Sequence, residues 1–506
     1  MGSKVVRGAA VLLAAGIIAR VLGFFYRIFL ARAIGAQGMG LLAMSYPLMG
    51  MALNLSAMGV PVAVTKIVAE RTALKGRSIE SVFRFAVPFV LILGVVLSAG
   101  LVVAAPVLTR RLLSDPRSVY PLLALVPLLL IIPVSLVLRS YFQGIQEMRP
   151  LAIATILEQL VRIASVIYLV RYFLPYGLAW GTAGAAIGVC LGEICGLLVL
   201  LAFYHGPRLF GRVRRGPPVT AAQDRIRPTA GEVLRLGTPV TGTRLIGSFA
   251  EIGDATIVPR RLEVAGFSRD AATAFYGNLS AMAMPLLFFP TVITGALAAA
   301  LMPAISEADA RNGLAAVRTR TQQALHATLL MAFPAATLFI ALGHSLGLVI
   351  YGQREVGTLL VPLAFAAPCL YVDNTLSAVL RGLGRPAVPM VNGLMGSLLR
   401  LSLIYVLTSV LRAGVMAVLI GFSVDMVVTC GLNYRSVHRL VRPRLAWDRA
   451  IVLPLAACAL MAAACRLGLA LGGGAGTLAV VVGATGGVAT YCLVVWLGGA
   501  VRTVWA

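Results

Sequence analysis

Apolar runs long enough to cross a bilayer recur along the whole chain, and they constrain its fold more than any other feature. Phe85–Leu108 carries no charged residue, and stretches of similar length recur at 178–204 and 476–500. In hydrocarbon every backbone N–H and C=O must be satisfied within the protein, which leaves helices and closed barrels. The runs are continuous rather than alternating, which argues against a barrel. Composition agrees, with 59% of the 506 residues hydrophobic and 12% charged and a mean hydropathy of +0.93. The chain reads as an all-α polytopic membrane protein. At ~20–25 residues per span its length admits about 14 helices.

The spans are placed near 8–33, 40–69, 82–108, 119–143, 150–173, 178–204, 231–257, 272–304, 322–350, 356–380, 386–411, 413–437, 448–471 and 476–500. The net charge of +25 lies mainly between these segments, so it reads as topology and attraction to anionic membrane lipids, not as nucleic-acid binding. The Arg-rich connections 206–230 and Tyr434–Arg449 mark the cytoplasmic side. With the amino terminus inside, about 23 Lys/Arg fall on cytoplasmic segments and about 10 outside. An even number of spans then leaves both termini in the cytoplasm of a multi-pass cell-membrane protein. Lys4 and Arg7 before an apolar run imitate a secretory signal, but the run continues past Arg20, and an uncleaved first helix is expected.

The loop 206–230, with Pro207, Pro217, Pro218 and Pro228, divides the chain into halves of similar hydropathy. Gln143-Gly-Ile-Gln-Glu-Met-Arg149-Pro150 leads to Ile167-Tyr168 in the first half, and Arg381-Gly-Leu-Gly-Arg385-Pro386 to Ile404-Tyr405 in the second. Each Arg-Pro reads as a turn between spans, since proline fixes φ and opens the next helix. The expected organisation is an N-lobe over 1–205, a basic cytoplasmic linker over 206–230, a C-lobe over 231–440 and two further spans in 441–506. Parallel repeats of this kind are a transporter signature.

Arg20 and Arg27 sit inside the first apolar run. A guanidinium near mid-span costs roughly 2.5–3.5 kcal/mol on insertion scales, so intramembrane charges are functional candidates by default. Seven residues at about 100° each bring both onto one helix face, roughly 10 Å apart along the axis. This predicts a cationic, water-filled site for an anionic ligand. Lys66 near the end of the second span and Arg244 in the seventh are further candidates for substrate binding. Glu251 and Asp254 accompany Arg244, and Asp254, Glu251 and Glu158 are candidate ion-coupling carboxylates. Glu158 precedes Arg162 by four residues, the favourable order for a same-helix ion pair, and cavity lining is its alternative role. Glu193, Asp373 and Asp425 are isolated acids in other spans. The seven cysteines lie in apolar segments without a CxxC pair, and the four histidines are scattered. No metal site, cofactor motif, nucleophile–base pair or P-loop is expected, and hence no enzyme.

Several stretches carry a family likeness. Arg20-Val-Leu-Gly-Phe, Gly59-Val-Pro61-Val-Ala-Val-Thr-Lys66, Ile257-Val-Pro-Arg-Arg-Leu262, Met282-Ala-Met-Pro285-Leu-Leu-Phe-Phe-Pro290 and Leu301-Met-Pro303-Ala-Ile-Ser-Glu307 resemble the stage V sporulation protein B branch of the lipid-linked oligosaccharide flippases. These belong to the MOP exporter superfamily, with the MurJ-like flippases and the MATE exporters. The resemblance implies 14 helices in two six-helix lobes forming a V, with two extra carboxy-terminal helices. It also implies an undecaprenyl-diphosphate-linked peptidoglycan or polysaccharide precursor as substrate, carried by alternating access for cell-wall or spore-cortex synthesis. One departure stands out: the eighth span reads Gly277-Asn-Leu-Ser-Ala-Met-Ala-Met-Pro285, without the basic residue MurJ-like members carry there. A MATE-type cation or drug antiporter is the alternative, and would need acids to dominate the cavity. Membrane potential, Na+ or H+ are the candidate driving forces.

Overall fold

The computed structural model describes residues 2–73, 80–206, 230–311, 313–411, 413–443, 448–474 and 476–499. Among these residues every regular element is helical. The first stretch gives α1 (Gly2–Ala57), α2 (Val60–Ala73), α3 (Glu80–Arg111), α4 (Val119–Leu125), α5 (Leu128–Gly144), α6 (Arg149–Phe173) and α7 (Leu178–His205). Then follow α8 (Ala230–Val264), α9 (Arg269–Tyr276), α10 (Met284–Phe288), α11 (Thr291–Ala310), α12 (Leu314–Leu346), α13 (Arg354–Ala364) and α14 (Ala367–Gly382). The chain closes with α15 (Ala387–Val410), α16 (Gly414–Val441), α17 (Leu453–Leu471) and α18 (Thr477–Leu497).

Among the described residues ten helices are long and apolar enough to cross a membrane, or up to twelve if each of two bent pairs is one span. The protein is a multi-pass membrane protein, but this count falls short of the expected 14. One reason is that the first two expected spans run on as one stretch, Ala14–Glu70, although the helix breaks between them at Gly35 (φ 65°) without a loop. Another is that α8, which holds Arg244, Glu251 and Asp254, is not among the ten. Several expected spans are also broken. The second is interrupted where Met58 and Gly59 both adopt positive φ, and a side chain at Gly59 would strike the Gly237 backbone. The expected 119–143 span bends by 41° between α4 and α5, and 356–380 by 60° between α13 and α14. The expected 272–304 span contains a π-helical turn over Gly277–Ala283. The two Arg-Pro turns form where expected, with α6 beginning at Arg149 and α15 just after Pro386.

The chain divides into two compact units, 1–256 with 269–277, and 257–268 with 278–506. This division assigns most of α8, and α9, to the first unit. The 206–230 linker lies outside the described residues except at its two ends, 206 and 230. In the second unit α17 and α18 pack against α12, where Leu342 joins Met461 and Tyr491 and the Tyr491 hydroxyl donates to Leu330 O at 2.8 Å.

The core of the first unit joins α2, α3, α5, α6 and α7 around Val64, Phe83, Phe142 and Leu200. Its most extensively packed helix pair is α6 with α7, and the cause is a stripe of four glycines one turn apart, Gly184, Gly188, Gly192 and Gly196. A Cβ on Gly184 would lie 2.8 Å from Leu169 O, and one on Gly192 2.9 Å from Glu158 O. Small residues at this spacing let membrane helices approach backbone to backbone. Substitution of Gly188 by leucine is expected to cost roughly 1–3 kcal/mol through overpacking, read as a lowered melting temperature in detergent.

A polar clamp closes one end of the same unit. The Asp115 carboxylate accepts from Arg117 N at 3.0 Å, Arg117 Nη2 at 2.6 Å and Thr273 Oγ1 at 3.1 Å. Arg117 Nη2 also reaches Asp270 Oδ1 at 2.5 Å, which accepts from Gln37 Nε2 at 2.6 Å. The clamp thus ties α9 to α1 and to the turn before α4. Burial pushes the Asp115 carboxyl upward, but the hydrogen bonds from Arg117 outweigh this and hold it below the usual carboxylate range. A depressed carboxyl stabilises the fold above its unfolded value of ~3.9, and that contribution is lost as pH falls through the folded value. Asp115→Asn should therefore lower stability near neutrality and flatten its decline at acid pH, measured by melting at stepped pH.

Candidate functional site

The polar interior of the first unit is built on three helices. Arg139 on α5 donates through Nη2 to Glu158 Oε2 on α6 at 2.7 Å. Arg162, one turn beyond Glu158, donates through Nη2 to Glu158 Oε1 and to Glu193 Oε1 on α7, both at 2.6 Å. Its Nη1 donates to Gln159 Oε1 at 2.9 Å, and Gln159 Nε2 reaches Ala19 O on α1 at 3.3 Å. The four charged side chains are between 12% and 20% exposed. Two arginines and two glutamates leave the group neutral, as a buried network must be to avoid a large desolvation cost. The glycine stripe places it: Gly192 and Gly196 lie against Glu158 and Arg162.

Glu158 and Arg162 thus form the pair their spacing suggests, but within a larger set. Arg139 and Gln159 went unnoticed in the sequence, and Glu193 appeared isolated. The second unit corrects the other isolated acids in the same way. Asp425 accepts from Arg400 Nη1 at 2.5 Å and Thr429 Oγ1 at 3.0 Å. Asp373 accepts from Asn433 Nδ2 at 2.6 Å, and Asn392 Nδ2 donates to Asn433 Oδ1 at 2.7 Å. The missed signal was a set of intramembrane arginines, Arg139 and Arg400, in excess of the same-helix acids.

Arg20 and Arg27 stand apart from this neutralisation. Among the described residues neither guanidinium has a carboxylate partner. Arg20 is exposed and Arg27 half-buried. Ile17, Ile18, Val21 and Phe25 form an exposed apolar stripe on α1, and both arginines lie roughly 120° around the helix from it. Arg27 and Arg162 are both within electrostatic reach of the Tyr26 and Tyr46 hydroxyls, and Tyr46 is 42% exposed. The first helix therefore brings an uncompensated cation to the edge of the neutral network.

The remaining candidates are more dispersed. Lys66 is exposed and pairs with Glu70 at 3.8 Å. Arg244 and Glu251 are exposed on α8 and have no ion-pair partner among the described residues; Asp254 is half-buried. Between them Ser248 accepts from Asn54 Nδ2 at 3.0 Å, which seats this stretch of α8 on α1. Among the described residues no three His, Cys, Asp or Glu side chains group as a metal site.

The model of the polysaccharide biosynthesis protein family matches residues 5–309. The chain belongs to that family. It is 32% identical over 436 residues to stage V sporulation protein B of Bacillus subtilis (strain 168), covering 86% of this chain and 84% of that one. Its fold matches the inward closed conformation of the lipid II flippase MurJ with a TM-score of 0.68 and 13% identity, over 96% of this chain and 98% of that one. It also matches an inward-facing multidrug resistance MATE transporter of the MOP superfamily, with a TM-score of 0.66 and 16% identity over 86% and 99% of the chains. The relatives whose names state an activity, the lipid II flippase MurJ and the MATE proteins, are transporters.

Glu158→Gln tests the network. It leaves Arg139 without a carboxylate and the network with two guanidiniums to one acid, and breaking a buried pair this way costs about 3–5 kcal/mol. The expected result is a large fall in melting temperature, greater than for Lys66→Ala at the exposed pair.

Proposed function

We propose that the protein is a flippase that moves an undecaprenyl-diphosphate-linked glycan precursor across the cytoplasmic membrane by alternating access, in cell-wall or spore-cortex synthesis. The observation that carries this reading is the uncompensated charge of Arg20 and Arg27 in a helix whose neighbouring intramembrane arginines are neutralised. Membrane arginines without a carboxylate are retained at a cost, and a diphosphate repays it through charge-assisted, bidentate hydrogen bonds. Their displacement from the apolar stripe of α1 suits a solvated path rather than lipid. The relationship to stage V sporulation protein B and the fold shared with a lipid II flippase support the same substrate class.

Arg244 is a further contact for the anionic headgroup. Lys66, paired with Glu70, attracts anionic lipid at the membrane surface. Both termini are cytoplasmic in this reading. The cycle draws on membrane potential or on Na+ or H+ bound at an intramembrane acid, with Asp254, Glu251 and Glu158 as candidates.

Reconstitution in vesicles with a lipid-linked peptidoglycan precursor, scoring headgroup accessibility, tests the proposal. A hydrogen bond to a charged group is worth ~1.5–3 kcal/mol, so Arg20→Ala should slow translocation by about tenfold or more with normal expression. Arg20→Lys should recover part of the loss, because charge remains while the bidentate fork is gone. Full activity in Arg20→Ala, or transport of a cationic drug abolished by Asp254→Asn, would overturn it.

A further inference from the structure

The network around Arg162 has an uneven distribution of partners. Glu158 is held by two guanidiniums, Arg139 on one oxygen and Arg162 on the other. Among the described residues Glu193 accepts from one guanidinium, that of Arg162, through the same Nη2 that Glu158 Oε1 occupies. Two carboxylates therefore meet at one nitrogen in a largely buried setting. Like charges so placed favour uptake of one proton between them, and the member with fewer donors takes it. Arg162 Nε is meanwhile buried and makes no hydrogen bond, so this guanidinium has donor capacity that the network does not use.

The surroundings limit what else titrates there. On α7 itself Cys190 donates to Ala124 O at 3.3 Å, and Cys195 lies within electrostatic reach of Glu158. From α6 come Glu158 and Arg162, and from α5 Arg139. From α1 come Tyr26, Arg27 and Tyr46, which gather about Arg162.

We infer that Glu193 is a proton-binding site, and that uptake of one proton there converts Arg162 from an internal counter-ion into a ligand for the diphosphate at Arg27. The proton comes from water and bonds to a Glu193 carboxylate oxygen; no other covalent bond changes. The network then passes from neutral to singly positive beside Arg27, so proton and anion bind cooperatively. Release of the proton restores the Arg162–Glu193 pair and withdraws the guanidinium from the anion. This rests on the flippase reading for the identity of the anion, but not for the proton site.

Two measurements test it. Infrared difference titration of the purified protein from about pH 8 to about pH 6 should show a protonated carboxyl signal, absent in Glu193→Gln. In vesicles, the apparent affinity of the wild type for the lipid-linked precursor should rise by about fivefold or more over the same range, while Glu193→Gln stays within about twofold. A signal that persists in Glu193→Gln, or a variant that keeps the wild-type pH profile, overturns the inference. Should Glu193→Gln fail to reach the membrane, Glu193→Asp should keep the carboxyl signal with a moved midpoint, and an unmoved midpoint overturns it. Wild type that titrates but moves no precursor at any pH removes the flippase reading and leaves the proton site standing.

Discussion

Charge neutralisation inside an apolar helix bundle is the constraint on which the rest of the first unit depends. Arg139, Glu158, Arg162 and Glu193 come from three helices, and each charge is tolerable only while the others are held at hydrogen-bonding distance. That requirement fixes the register of α5, α6 and α7 more tightly than apolar packing, which tolerates sliding. The glycine stripe of α7 permits the approach, and the ion pairs set where along the stripe it stops. The second unit repeats the device with Arg400 and Asp425 between α15 and α16, where Gly396 leaves room for the carboxylate.

Against this neutral background the bare charges of α1 acquire meaning. An arginine balanced by a glutamate stabilises a fold; one without a carboxylate partner among the described residues is the feature on which the proposed anion site rests. Arg162, bonded to Glu158 and Glu193, and Arg27, with no carboxylate partner among the described residues, both act electrostatically on the Tyr26 and Tyr46 hydroxyls.

Much of the architecture was legible in the sequence. Run length and continuity fixed the helical membrane class, and Arg149-Pro150 and Arg385-Pro386 marked helix starts that the structure keeps. Glu158 and Arg162 were readable as a pair because both lie on one helix, four residues apart. Glu193 was not, because its partner is 31 residues away, and only the α6–α7 packing brings them together. The glycine spacing from Gly184 to Gly196 would have announced that packing. The break at Met58–Gly59 was hidden for another reason: positive φ at a methionine has no compositional mark. The boundary expected between the first two spans falls at Gly35, where a positive φ turns the chain without a polar loop.

The assignment of α9 and most of α8 to the first unit has a consequence for how such a chain is divided. The chain leaves the first unit after Thr256, returns for Arg269–Gly277, and leaves again. The Asp115–Arg117–Asp270 clamp fastens that returning segment. Halves cut at the basic loop would not be self-sufficient modules, because the first would lack the segment that Asp115 and Arg117 are built to hold. The first unit thus ends about one helix beyond the basic loop. A gene fusion or split-protein reporter cut at that loop would sever the unit it meant to preserve.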